Sequence, residues 1–200
     1  FSLIGNHSDV RKAVSSDFKS VGDRVYLCGE SHQELGASEL AYMLREQIDG
    51  ASGIGGRVPE IDAERNLAMY RALTTAMGEG LVASAHDCSD GGLAAAVAEC
   101  CFGADAGVNI DVSKIMGDCT EIDSWGALFG ESLGRILVSV EPQHFAAFEA
   151  AMNGHACYAL GGVEAGDQIS ISNGGETVLT ASMSSLRAAW KDALDGGGPQ

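Results

Sequence analysis

The chain has 200 residues, 46% of them apolar, with 28 acidic and 12 basic residues and a formal charge of −16. That supports one good-sized core, one domain or a domain plus a piece of another. It argues against nucleic acid and anionic membranes, since Lys and Arg are few and unclustered, and no apolar run nears the ~20 residues of a membrane span. Phe1 to Ile4 reads as a strand before a polar turn at Gly5-Asn6, and residues 1–20 read as the tail of a preceding domain. With no initiator methionine and no secretory signal in view, the expectation is a piece of a longer, cytoplasmic protein.

Val21-Gly22-Asp23 is a turn and Arg24 to Cys28 a strand. Ser31-His32-Gln33-Glu34 has capping-box spacing, so a helix is predicted from there to about Asp49, with Leu40, Met43, Leu44 and Ile48 in step. Gly50 to Pro59 is a glycine-rich loop. It has no Lys-Ser or Lys-Thr and no strand leading directly in, which excludes a phosphate loop. Asp62 opens the next helix. Leu67, Tyr70, Leu73 and Met77 form its core face, and Gly78 and Gly80 end it.

Leu81 to Ala85 is a short strand, and Leu93 to about Phe102 is helix. Between them lies Ser84-Ala85-His86-Asp87-Cys88-Ser89-Asp90-Gly91-Gly92-Leu93. Two glycines at a helix start, with Ser89 or Asp90 as the cap, make a candidate anion site. His86, Asp87 and Asp90 could hold a cation or move a proton. A capped helix start with a tight glycine turn accounts for the same residues equally well.

Gly107 to Val112 is a strand, Asp123 to Phe129 a short helix, and Arg135 to Val140 a strand apolar on both faces, expected to be central. Pro142 opens a helix with Phe145, Phe148 and Met152 inward, and Ala156 to Val163 is a strand. Asp167 to Ser172 and Glu176 to Ala181 form a hairpin around Asn173-Gly174-Gly175. Ser184 or Ser185 caps a last helix carrying Leu186, Trp190 and Leu194, and 195–200 is a flexible tail. The order predicts an α+β domain, a layered mixed sheet covered by helices.

Glu131 and Ser132 stand at the entry of the Arg135 strand and could meet a ligand at the sheet's rim; an ordinary turn with Glu131 paired to Arg135 is the simpler alternative. Gly36, Ser38 and Glu39 are small or acidic residues near a helix start, where helix packing is the alternative. The six cysteines include no Cys-x-x-Cys pair, so a structural zinc site is not indicated and reduced thiols are expected. The charges of Asp87 and Asp90 work against Cys88 as a nucleophile. His7, His32, His144 and His155 have no partner pattern.

Five strings fall in the order seen in one family: Gly22 to Glu30, Glu34 to Glu39, His86 to Leu93, Leu128 to Ser132, and Leu160 to Val163. Together they resemble the C-terminal part of the synthetase subunit of phosphoribosylformylglycinamidine synthases. The resemblance implies an AIR-synthase-like C-terminal domain over residues 21–194. The whole enzyme uses ATP and Mg²⁺ to activate formylglycinamide ribonucleotide and ammonia from a glutaminase subunit or domain to form the amidine. The family's catalytic histidines and ATP-contacting lysine lie upstream of Phe1, so no catalytic residue and no cofactor requirement is expected of this stretch, and the upstream half is its partner. The family's substrate-gripping motif is Glu-Ser-Gln; here Glu131-Ser132 is followed by Leu133, which weighs against direct substrate contact. Other AIR-synthase-superfamily enzymes offer an alternative: aminoimidazole ribonucleotide synthetase, selenophosphate synthetase, thiamine-phosphate kinase and the hydrogenase maturation protein. A non-catalytic scaffold or structural nucleotide-binding domain is another.

Overall fold

The computed structural model describes residues 2, 4–7, 9–45, 56–104, 106–116 and 122–194. Phe1, the distal part of the first predicted helix with Ile48 and Asp49, the glycine loop at 50–55, Cys119, the side chain of Leu194 and the 195–200 tail lie outside that set.

Seven strands form one mixed sheet: β1 (Arg24–Cys28), β2 (Ser84–Asp87), β3 (Gly107–Asp111), β4 (Ile136–Val140), β5 (Cys157–Glu164), β6 (Gln168–Asn173) and β7 (Glu176–Ser182). Their order is β2-β4-β1-β5-β3-β6-β7. All neighbours are antiparallel except β3 and β6. The helices are α1 (Glu39–Leu44), α2 (Ala63–Gly78), α3 (Gly92–Phe102), α4 (Ser113–Met116), α5 (Ser124–Phe129), α6 (Phe145–Ala151) and α7 (Met183–Leu194). The predicted α+β class and layered mixed sheet are therefore present.

β1 shows why two layers of helix are needed. Val25 and Leu27 belong to the core shared with α3 and α5, and Tyr26 and Cys28 to the core shared with α2 and α6. A strand apolar on both faces must be covered on both. β4 likewise has a neighbour on each side, β2 and β1, but lies second from the edge; β5 holds the middle.

Several expectations change. No strand forms at Ser2 and Ile4, and Ile4 is exposed. Farther along the same segment, Phe18 is buried in the α3-side core, its N–H donates to the Cys100 carbonyl, and the Ser15 carbonyl accepts from Ala85 at the edge of β2. Leu67 is 48% exposed; the buried face of α2 is Met69, Leu73 and Ala76, with Tyr70 and Met77 beside it. β2 begins later than expected and runs on through His86 and Asp87 because it pairs with β4 down to Ile136. The cap of α7 is Ser182, whose hydroxyl accepts from the Ser185 N–H, helped by Asp167 accepting from Ser184. The hairpin turn is the two-residue Gly174-Gly175 pair, both at positive φ, as a type I′ turn demands.

The largest departure is at 31–38. No helix starts at Ser31, because both capping-box residues are taken by distant partners. The Ser31 hydroxyl accepts from the Arg135 guanidinium, and Glu34 Oε1 accepts from the Glu60 N–H. The segment is instead an irregular strap. Gln33 and Asp123 exchange two hydrogen bonds, fastening it to α5, and the Gly36 N–H donates to the Arg57 carbonyl. Helix α1 begins only after it, capped by Ser38, whose hydroxyl accepts from the Ala41 N–H at 3.2 Å.

Candidate functional site

A cleft of about 400 Å³ opens where β2 ends and α3 begins, between the 131–136 segment and α2. Asp87, Ser89, Asp90 and Glu131 line it, all four picked out from the sequence.

At the helix start the predicted caps are not used. The N-cap of α3 is Gly91, at φ +78°, with no side chain capping the helix. Ser89 donates its hydroxyl to Asp87 instead, and its carbonyl accepts from Gly92. That hydroxyl donation holds the Asp87 carboxyl below its usual range. The charge at the mouth of α3 comes from Glu131. Its Oε1 accepts from the Gly91 N–H at 3.0 Å and from the Glu39 N–H at 2.9 Å, so one carboxylate oxygen serves the starts of α3 and α1. A negative group there is favoured by the helix dipole. Gly92 is needed for closeness as well as for its φ of +66°: a Cβ would lie 2.6 Å from the Gly130 carbonyl oxygen.

Glu131 does not pair with Arg135. That guanidinium is 1% exposed and folds back on its own loop, donating to the carbonyls of Ser132 and Gly130 and to the Ser31 hydroxyl. Burial pulls its pKa down from the usual arginine value. Ser132 is also 1% exposed, its hydroxyl accepting from the His32 N–H at 3.0 Å. The Glu131 N–H donates to the Glu34 carbonyl. Strap and loop therefore brace each other, and Ser132 faces the strap rather than the cleft.

The remaining sequence candidates divide. Gly36 packs against Arg57, Ser38 is a buried helix cap, and Glu39 contributes its N–H while its side chain is exposed. His86 lies outside the cleft, with Nε2 3.0 Å from Glu99 and Nδ1 3.4 Å from Asp87. Tyr70, Pro59 and Gly134 line the cleft without having been singled out. Tyr70 read only as a core position of α2, and nothing local in the sequence signals that it faces Asp87. The one available signal was Arg135, a charge at the head of an apolar strand.

The chemistry on offer is recognition. The Cys88 thiol is pushed up to about 11 by burial, so it is a poor nucleophile. Among the described residues no group of three or more His, Cys, Asp or Glu is arranged to hold a metal ion.

The family model for the C-terminal domain of AIR synthase related proteins matches residues 20–172. The chain belongs to this family. Solved structures agree on the AIR-synthase-type C-terminal fold. PurL of Thermotoga maritima complexed with FGAR superposes with TM-score 0.75 at 18% identity, over 88% of this chain and 30% of that one. Phosphoribosylformylglycinamidine synthase II of the same organism gives 0.70 at 17%, over 88% and 28%. The hydrogenase maturation protein HypE of E. coli gives 0.56 at 19%, over 85% and 51%. The chain thus spans under a third of the two Thermotoga structures and about half of HypE. At these identities the likeness is one of fold.

Proposed function

We propose that this AIR-synthase-type domain is the C-terminal domain of an ATP-dependent amide-activating ligase that converts formylglycinamide ribonucleotide to its amidine. The supporting observation is a convergence. Three of the strings that carry the sequence resemblance, 34–39, 86–93 and 128–132, meet at one carboxylate oxygen, Glu131 Oε1, beside the cleft. Strings far apart in sequence that build one junction have a shared reason to occur together. In this reading ATP and Mg²⁺ are held by the upstream part of the enzyme and ammonia comes from a glutaminase partner. Phosphoryl transfer depends on positioned, metal-bridged phosphates, and among the described residues no group of three or more His, Cys, Asp or Glu is placed to hold a metal ion. The domain's part is to close the cleft wall with Asp87, Ser89, Asp90 and Glu131.

The test is phosphate release from ATP, Mg²⁺, formylglycinamide ribonucleotide and ammonia. It compares this chain alone with the chain joined to its upstream half. The joined protein should turn over only with all four present, and the chain alone should not. ATP turnover by the joined protein that ignores formylglycinamide ribonucleotide would move the domain to another enzyme of the superfamily. Turnover by the chain alone would place the catalytic groups in it.

A further inference from the structure

Cys28 and Cys157 end β1 and begin β5, directly opposite one another. Their sulfurs are 3.5 Å apart, and they are the thiols found in mutual contact among the described residues. The next pair along, Gly29 and Ala156, is hydrogen-bonded through the Gly29 N–H. In an antiparallel ladder the two pair types alternate, so Cys28 and Cys157 occupy a non-hydrogen-bonded pair, where Cα atoms stand about 4.5 Å apart. That falls inside the roughly 4.4–6.8 Å spanned by disulfides. Only the sulfurs need to move, from 3.5 Å to about 2 Å.

We propose that Cys28 and Cys157 form an oxidant-sensitive pair that a hydroperoxide converts to an intramolecular disulfide. The two thiols differ in a way that suits this. Cys28 is fully buried in the α2–α6 core, while Cys157 is partly exposed. The hydrogen bond to Cys157, together with burial, raises the Cys28 pKa far above that of an ordinary thiol. Cys28 is shut in the core, so an oxidant reaches the partly exposed Cys157 first. A cleft of about 420 Å³ is lined by Gly29 and Ala156, the neighbouring pair of the ladder, together with Glu30, Met69 and His155.

The steps balance. The Cys157 thiolate attacks one peroxide oxygen, the O–O bond breaks, and water leaves after protonation, giving a sulfenic acid. The Cys28 sulfur then attacks the Cys157 sulfur. The S–S bond forms, the S–O bond breaks, and the second water leaves with the Cys28 proton. Two thiols are oxidised by two electrons and one hydroperoxide is reduced. The other described cysteines, Cys88, Cys100 and Cys101, are all buried in the α3-side core. The bridge would staple the root of the 31–38 strap, the segment that carries Glu34 and Ser38 and leads into Glu39 at the start of α1.

The reduced protein is treated with a small excess of hydrogen peroxide. Free thiols are then blocked with N-ethylmaleimide in denaturant, and the protein is digested without reductant for mass spectrometry. The expected result is one linked peptide joining Cys28 and Cys157 within a chain, with two fewer blocked thiols, both restored by dithiothreitol. Cys157→Ser should abolish the linkage. Cys28→Ala should leave Cys157 as a sulfenic acid that dimedone traps. Should Cys28→Ala not fold, Cys157→Ser at the partly exposed position carries the comparison. The proposal is overturned if every thiol is still blocked after peroxide, if Cys157 proceeds to the sulfinic acid while Cys28 stays blocked, or if the link joins two chains.

Discussion

Replacing Glu131 by alanine removes the oxygen that receives the N–H groups of Gly91 and Glu39. The two losses are unequal. The Glu39 N–H is at the surface, where water takes over, whereas the Gly91 N–H is partly buried. A hydrogen bond to a charged group contributes about 1.5–3 kcal/mol when shielded, so the Gly91 bond accounts for roughly 1.5 kcal/mol and the Glu39 bond for about 0.5 kcal/mol. Loss of a negative group at the α3 mouth adds about 0.5 kcal/mol. The expected cost is about 2–3 kcal/mol, a fall in Tm of roughly 5–10 °C for a chain of this size. Glu131→Gln keeps a neutral acceptor and should cost about 1 kcal/mol. Equilibrium urea unfolding of the three proteins gives the values directly. A Glu131→Ala protein within ~0.5 kcal/mol of the wild type, the range of an unremarkable surface change, would refute the claim that this carboxylate ties the two helix starts together. So would a Gln variant no better than Ala.

The paired glycines should separate in the same assay. Gly91→Ala meets the Ala95 Cβ at 2.8 Å, which must give way, and adds left-handed strain of about 1–2 kcal/mol. Gly92→Ala drives its Cβ onto the Gly130 and Leu128 carbonyls and should cost at least ~2 kcal/mol more; equal effects would mean the α5–α3 junction yields. For Asp111, burial favours the neutral form, but hydrogen bonds from Ser113, Gly174 and Gly175 outweigh it and hold the carboxyl far below its usual value. Its folded pKa is thus below the unfolded one near ~3.9, so its stabilisation is complete above about pH 5 and drains away as pH falls below about 4. Asp111→Asn should flatten that acid limb of stability against pH, and superimposed limbs for variant and wild type would sink the assignment.

What was legible in the sequence was local or periodic. β1, α2, α3 and α5, with Asp62 and Asp123 as caps, follow from apolar spacing and short-range capping chemistry. The Gly174-Gly175 hairpin follows from turn chemistry alone. What was not legible needed a partner from elsewhere in the chain. Ser31 and Glu34 have the spacing of a capping box, yet a capping box needs those side chains free to fold back on their own turn. Here Arg135 and Glu60 reach them first. Ser89 and Asp90 were equally plausible caps for α3, and a carboxylate 40 residues on, Glu131, fills the place. The site was half visible for the same reason. Asp87, Ser89, Asp90 and Glu131 lie in recognisable strings, while Tyr70 and Pro59 reach the cleft only because α2 packs across β4.

The self-filled helix mouth changes what the cleft can recognise. A bare N-terminus would invite a phosphate, but the Gly91 N–H already faces Glu131. Arg135, the cation in the lining, is spent on three oxygens of the strap and its own loop. From outside, therefore, the cleft offers acceptors: Asp87, Asp90 and Glu131. On a chain of formal charge −16, that surface attracts hydroxyl, amide and cationic donors and resists an anion that arrives unaccompanied. A phosphorylated substrate would bind here only with its charge met by something else, a metal-bridged nucleotide or a second protein surface.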